Sequence, residues 1–176
     1  TNHVLDKGYK NVGFFGDLDY SLSFSERFMG YKHALTNRHV ISRVDDYIKK
    51  YSILHDTEKY VLDNRIDKIV ELLKNKELPD VFICANDFIA FDLMQILRQL
   101  NIQVPEDICL CGFDDSPAAK LITPPLTSIH IHNEILGVCA VDLLLSRIKD
   151  PTLNYRTVYT ETNIVYRESA NIAPTR

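Results

Sequence analysis

Glycine and proline are scarce in this chain, six and seven among 176 residues. With 45% of residues apolar, that scarcity excludes disordered and collagen-like architectures. No apolar run approaches the roughly 20 residues that cross a bilayer, so no membrane partner is expected. Neither GxGxxG nor GxxxxGKS/T occurs, which removes the Gly-rich cradles of dinucleotides and nucleoside triphosphates. No cofactor is expected. Clustered basic charge is missing as well: Lys and Arg number 20 against 24 Asp and Glu, a net charge of −4. A whole-surface nucleic-acid binder is therefore excluded. The four cysteines, Cys84, Cys109, Cys111 and Cys139, show no CxxC spacing. Disulfide frameworks belong to smaller secreted domains, so reduced thiols in a cytoplasmic protein are expected. Cys109 and Cys111, two apart, share one strand face as small core residues rather than a metal site. The chain opens at Thr1-Asn2 with no signal-peptide pattern, and is expected to be a fragment or processed product.

What is present is one domain's length of alternating strand and helix patterns. Residues 2–7 read as a helix tail stopped by Gly8, and 12–16 as a strand. Residues 25–37 read as a helix with Phe28, Tyr31 and Leu35 recurring at helical spacing. Residues 46–51 read as a weak strand. A long helix is expected over 57–74, with Val61, Leu62, Ile66, Ile69, Val70 and Leu73 as its apolar stripe. Strand 81–85, helix 87–100 and a turn around Pro105 follow. The continuous apolar run 108–113 suits a parallel strand buried on both faces. A short helical piece at 117–121, an extended 126–131, a helix 133–149 stopped by Pro151 and a closing strand 157–166 complete the pattern. The fold class is α/β, an open and mostly parallel sheet with helices on both faces.

Ligands of such sheets bind beyond the carboxyl ends of the strands. Those junctions carry Asp17, Asp19, Ser23, Ser25 and Arg27 after the first strand. Asn86 and Asp87 follow the strand at 81–85, and Asp114, Asp115 and Ser116 follow 108–113. Helix capping accounts for Asn, Asp or Ser at any one junction. A doubled pair at 86–87 and at 114–115 allows one residue to cap while its neighbour faces the cleft. A neutral polyol suits a carboxylate, an amide and a guanidinium together, because each hydroxyl both donates and accepts. Tyr20, Phe24, Tyr47 and Tyr51 are candidates for an aromatic face over a sugar ring. His130 and His132 share a strand face at a spacing used by metal ligands, but no third ligand accompanies them. Hydrogen bonding at a hinge or pocket edge is expected there, and no metal. There is no GxSxG elbow and no Cys-plus-His protease signature, so a binding module rather than an enzyme is expected.

The ordered set Val81-Phe-Ile-Cys-Ala-Asn-Asp-Phe-Ile-Ala90, Val104-Pro-Glu-Asp-Ile108, Gly112-Phe-Asp-Asp-Ser116 and Thr123-Pro-Pro-Leu-Thr-Ser-Ile129 resembles the lactose-repressor/galactose-repressor (LacI/GalR) family of transcription regulators. Gly8-Tyr9, Ser25-Glu-Arg27, Gly30-Tyr31 and Val165-Tyr-Arg-Glu-Ser169 agree in order and spacing. The resemblance implies a DNA-binding head, a hinge and a two-lobed effector core shaped like periplasmic sugar-binding proteins. This chain resembles the later part of that core. Residues 1–128 would be the C-terminal, periplasmic-binding-protein-like lobe. Residues 129–150 would be the crossover and a helix packing on an N-terminal lobe that the chain lacks, and 151–176 the return strand and tail.

By the same resemblance Arg27, Asn86 and Asp114 match effector contacts, and an aromatic lid would lie at Tyr47 or Tyr51. The family often carries Gln where this chain has Ile131, and an aromatic where it has Asn133. Apolar residues lie nearly all round helix 87–100, the mark of deep burial or an interface. The resemblance places a homodimer contact there, with Phe91, Leu121 and Ile122 at matching positions. It implies a cytoplasmic repressor that binds a sugar-like effector and reaches operator DNA only through a head outside this chain. The rival reading is an exported solute-binding protein of a transporter. The unpaired cysteines and the Thr123-Pro-Pro-Leu-Thr127 signature favour the regulator.

Overall fold

A computed structural model of the chain describes residues 1–37, 43–63 and 65–170. Three short strands, β1 (Val12–Phe15), β2 (Val81–Cys84) and β3 (Cys109–Cys111), form a parallel sheet in that order. Val12 lies opposite Val81, and Val81 opposite Cys109. Single ladder contacts widen the sheet on each side, Phe15 with Ile53 and Cys111 with Thr127. Every residue of β1 and β3 is buried, as a parallel sheet covered on both faces requires. Around it lie α1 (Asn2–Asp6), α2 (Leu22–Asn37), α3 (Val44–Tyr51), α4 (Thr57–Leu62), α5 (Ile66–Lys74) and α6 (Asp87–Gln99). A 3-10 turn (Pro117–Lys120), β4 (Ser128–Ile131), α7 (Asn133–Lys149) and β5 (Thr162–Val165) complete the chain.

Successive side chains of a strand point to opposite faces, and β1 uses both. Phe14 packs against Phe28 and Tyr31 of α2, with ring centroids 5.5 and 5.7 Å away. Phe15 packs on Phe82 at 5.6 Å on the other face. Burying one such ring stabilises the fold by roughly 1.5–3 kcal/mol. Gly13 is required by close packing: a Cβ there would lie 2.2 Å from the Tyr51 carbonyl oxygen and 2.8 Å from the Phe82 ring.

Two expected elements differ. Residues 46–51 are not a strand but most of helix α3. Val44, Tyr47, Ile48 and Tyr51 recur at helical spacing. Asp45 and Asp46 in its first turn and Lys49 and Lys50 in its last match the helix dipole. The extended segment lies just beyond, where Ile53 meets Phe15. The single helix expected over 57–74 is two, α4 and α5. Leu62, placed on its apolar stripe, is 76% exposed at the end of α4. The closing strand contracts to Thr162–Val165, antiparallel to β4 with Ile129 opposite Ile164.

Helix α7 stands apart from this core. None of its residues is buried, and Ile135, Leu136, Val138, Val141, Leu144, Leu145 and Ile148 are all exposed. Among the described residues its side chains hydrogen-bond within the helix, Ser146 to the Leu143 carbonyl, and to its own flank, Arg147 with the Leu153 carbonyl and Arg156 with Ser146 Oγ.

Candidate functional site

The carboxyl ends of β1, β2 and β3 open on one rim, and α2 lays Arg27 across it. The Arg27 guanidinium stacks on the Phe113 ring, 3.9 Å from its centroid. One terminal nitrogen donates to the Ala85 carbonyl at 2.7 Å and the other to Asp114 Oδ1 at 3.1 Å. Arg27 therefore spans the end of β2, directly before Asn86, and the turn after β3. Asn86 is the N-cap of α6, its Oδ1 accepting from the Ile89 N–H at 2.9 Å. Capping leaves the Asn86 amide with its Nδ2 donors, on the residue after the Ala85 carbonyl that Arg27 holds. The structure thus joins Arg27 directly to Asp114 and sets Asn86 at the same strand ends, one residue beyond Ala85.

Burial pushes the Asp114 carboxyl above its ordinary range, Arg27 opposing the rise and Asp87 adding to it. Burial also lowers Arg27, with Asp114 and Asp87 opposing. Two of the five guanidinium N–H donors are used in these contacts, and Asp114 retains acceptor capacity. The arrangement is a prepared donor–acceptor pair, partly desolvated and braced from below by an aromatic ring.

Neither doubled polar pair divides into a cap and a cleft-facing neighbour. Asn86 caps, but Asp87 is buried inward: its Oδ2 accepts from the Ser116 N–H at 2.7 Å and its Oδ1 from Ser128 Oγ at 2.5 Å. Asp114 meets Arg27, while Asp115 turns inward to His130 Nδ1 at 2.9 Å and Arg167 at 2.6 Å. Gly112 permits the turn, since a Cβ there would sit 2.3 Å from Asp87 Oδ1. Asp17 is spent on backbone, one oxygen accepting from the N–H of Asp19 in its own loop and the other from that of Asp56 before α4. Ser25 donates to the Leu18 carbonyl.

Tyr47 and Tyr51 are not brought to this rim. The Tyr47 hydroxyl accepts from the N–H of Val12, the first residue of β1, and donates to the Lys10 carbonyl. The buried Tyr51 donates to Glu77, ahead of β2. Both rings pack together at the amino ends of the strands, 4.9 Å between centroids. The aromatic lid that the family resemblance implies at Tyr47 or Tyr51 is thus not formed at this rim, because α3 carries both rings to the strands' amino ends. Of the aromatic candidates, Phe24 is buried with Arg27 5.9 Å from its ring. Tyr20 lies at the rim, 57% exposed. It lines a recess of about 200 Å³ with Glu58, Leu62, Asn86, Phe88 and Asp92.

Glu58 was not anticipated. It is buried, its Oε2 accepting from Thr57 Oγ1 and from the Asp17 N–H, and burial raises its carboxyl. The inward network of Asp87, Asp115, Ser128 and Arg167 was equally unforeseen, although the doubled pairs at 86–87 and 114–115 were a signal. His130 bonds Asp115, and its ring lies 4.9 Å from that of His132. Among the described residues one group, Asp17, Asp19 and His55, brings three potential metal-ligand atoms within 4.8 Å of one another. Asp17 is already engaged by backbone there. The Cys84 and Cys111 thiols are fully enclosed and burial raises both, Cys111 to about 12. They serve as apolar core.

Phe91 of α6 and Ile122 are half-buried on the outer side of the lobe, and Leu121 is 82% exposed. Ile122 borders a shallow cleft against Met94 and Arg98 of α6. Among the described residues, no helix is long and apolar enough to cross a membrane.

Comparison with known proteins places this geometry in context. Residues 1–170 match the model of a periplasmic binding protein-like domain. The ribose operon repressor of Haemophilus influenzae is 33% identical over 96% of this chain and 48% of its own length. The chain thus spans about half the length of the curated relatives it matches. A LacI-type transcription regulator from Bifidobacterium animalis subsp. lactis superposes with a TM-score of 0.74 at 26% identity, over 96% of this chain and 61% of that one. A LacI family regulator from Enterococcus faecium, solved with bound ribose, gives 0.75 at 23% identity over 96% and 59%, a likeness of fold.

Proposed function

We propose, from the premise that the chain belongs to the periplasmic binding protein-like domain family and within it to the LacI/GalR-type regulators, that it is the effector-binding part of a transcription regulator. In this reading residues 1–128 form one lobe of the effector core. Residues 129–150 cross to a second lobe and pack on it, and 151–176 return. A sugar or sugar-like metabolite is gripped by Arg27, Asn86 and Asp114 and covered by the second lobe. Closure on the ligand alters the affinity of a head domain, outside this chain, for operator DNA. The protein works in the cytoplasm as a symmetric homodimer through Phe91, Leu121 and Ile122, and catalyses nothing. Allostery here requires unequal ligand affinity for the open and closed states.

The observation that carries the reading is the Arg27–Asp114 pair laid across the strand ends beside Asn86. A guanidinium, an amide and a carboxylate at one rim match the mixed donor and acceptor character of neighbouring hydroxyls. Kinship with repressors favours a regulator over an exported solute-binding protein. The name of the Haemophilus relative makes D-ribose the first sugar to test.

The test is calorimetric titration of the full-length protein with a panel of pentoses, hexoses and disaccharides. A charge-assisted hydrogen bond contributes about 1.5–3 kcal/mol, so Arg27→Ala and Asp114→Ala should each weaken the tightest sugar by about tenfold or more. Unchanged affinity in variants that melt cooperatively would overturn the site. Sedimentation showing only monomer at micromolar concentration would overturn the dimer.

A further inference from the structure

Residues 132–161 leave the lobe along β4 and return along β5. Whatever α7 touches is therefore connected to the rim through this two-stranded ribbon. The ribbon's root lies beside the effector contact. The Asp114 N–H donates to the Ile129 carbonyl at 2.9 Å, and Asp114 bridges to His130. Asp115 is the next residue. Its carboxylate, 6% exposed, holds one strand with each oxygen: Oδ2 meets His130 Nδ1 of β4, and Oδ1 meets Arg167, two residues past the end of β5. Its N–H donates to Ser128 Oγ, which in turn donates to the buried Asp87. Arg167 is fixed further by its bond to the Leu126 carbonyl and by backbone exchanges with Thr127 Oγ1.

We propose that Asp115 is a positioning residue that pins both strands of the ribbon to the turn carrying Asp114, so that the grip on a ligand at Asp114 is transmitted to the ribbon. The pinning stands on geometry alone, and its link to a ligand rests on the function proposed above. Asp115 is well suited to the part. Two partly buried bonds from one carboxylate to partners 15 and 52 residues away in the chain fix both strands with a single group. A charge buried without those partners would be costly.

Hydrogen exchange on the full-length protein, read by peptide, tests this without any ligand. Asp115 sits at φ +51°, a conformation that Asn tolerates, so Asp115→Asn removes the charge while keeping the turn. Exchange of residues 128–131 and 162–165 should accelerate by about tenfold, the range expected when a buried charged bond is lost, with β1–β3 essentially unchanged. No acceleration in the ribbon, or equal acceleration throughout the sheet, would overturn the pinning.

The second arm adds the tightest sugar of the panel at saturation. The wild type should gain protection in the ribbon. Asp115→Asn should lose most of that gain while its sugar affinity changes by less than about threefold, a coupling loss without a binding loss. Ligand-induced protection retained in full would sink the transmission. If no sugar binds the wild type, the function proposal fails and the ligand-free arm alone decides the pinning. Should Asp115→Asn fail to fold, His130→Ala, at a side chain 38% exposed, releases one strand and is expected to accelerate 128–131 most.

Discussion

Two adjacent aspartates at the rim titrate in opposite directions, and their surroundings explain why. Asp114 is pushed up by burial, which outweighs the attraction of Arg27. Asp115 is also pushed up by burial, but its bonds to Arg167 and His130 reverse this and leave it below its ordinary 3.8. Stability contributed by Asp115 is therefore complete above 3.8 and lost as pH falls through its lowered value. Asp114 runs the other way: the folded state holds its proton more tightly, so its contribution declines as pH rises through the window above 3.8. Effector binding should follow Asp114. Affinity should fall on acidification, starting above the ordinary aspartate range, as the acceptor is protonated and its bond with Arg27 weakens. An Asp114→Asn protein should bind more weakly yet show a flat profile there in calorimetric titrations. Gly112→Ala makes a second residue-scale test. A Cβ 2.3 Å from Asp87 Oδ1 and 2.7 Å from Leu126 overpacks the turn, at a cost of about 1–3 kcal/mol, read as a lowered melting temperature. At this scale the strand ends offered Asn86 and Asp114 among several polar residues and the first junction offered Arg27, and the family resemblance singled out these three. The sequence concealed the inward roles of Asp87 and Asp115, whose partners Ser128 and Arg167 lie 41 and 52 residues onward.

Elements were legible where burial and periodicity agreed. Helix α6 starts at a capping Asn86 and buries Ile89, Ala90, Leu93, Met94, Ile96 and Leu97, so pattern and cap pointed to the same boundaries. The three sheet strands were legible as continuous apolar runs. Helix α3 reads as a strand when the window 46–51 leaves out Val44, whose spacing to Tyr47, Ile48 and Tyr51 is helical. Its charges, acidic first and basic last, were the discriminating signal. Helix α4 ends at its C-cap Asp63, a residue type that competes with helix for backbone hydrogen bonds, and α5 begins after Arg65. The lid expected at Tyr47 or Tyr51 rested on family resemblance, and spacing alone does not tell which end of the sheet an intervening helix faces. Leu93 of α6 is fully enclosed, and Leu93→Ala should destabilise the lobe by about 2–5 kcal/mol in denaturant unfolding. Tyr47→Phe should leave sugar affinity unchanged while costing stability, because its hydroxyl bonds Val12 and Lys10 rather than a ligand.

At the scale of the molecule, burial divides the chain unevenly. Core residues come from Val4 to Leu126 and again at Ala170, whereas α7 contributes none. A helix with seven large apolar side chains exposed cannot be at its free-energy minimum against water. In the proposed arrangement a second lobe covers it, and Val138, Val141, Leu145 and Ile148, spaced by three and four, form one stripe for that contact. The stripe has a measurable consequence. In the full-length protein Leu145→Asp should destabilise by roughly 2–5 kcal/mol, the range for losing a buried leucine, and should lower sugar affinity by misaligning the second lobe. The core of the first lobe, followed by exchange at β1–β3, should be unaffected. Calorimetric unfolding of the full-length wild type and variant checks this. Equal stability in both would mean that the apolar side of α7 stays in water, leaving the two-lobed arrangement without its contact surface.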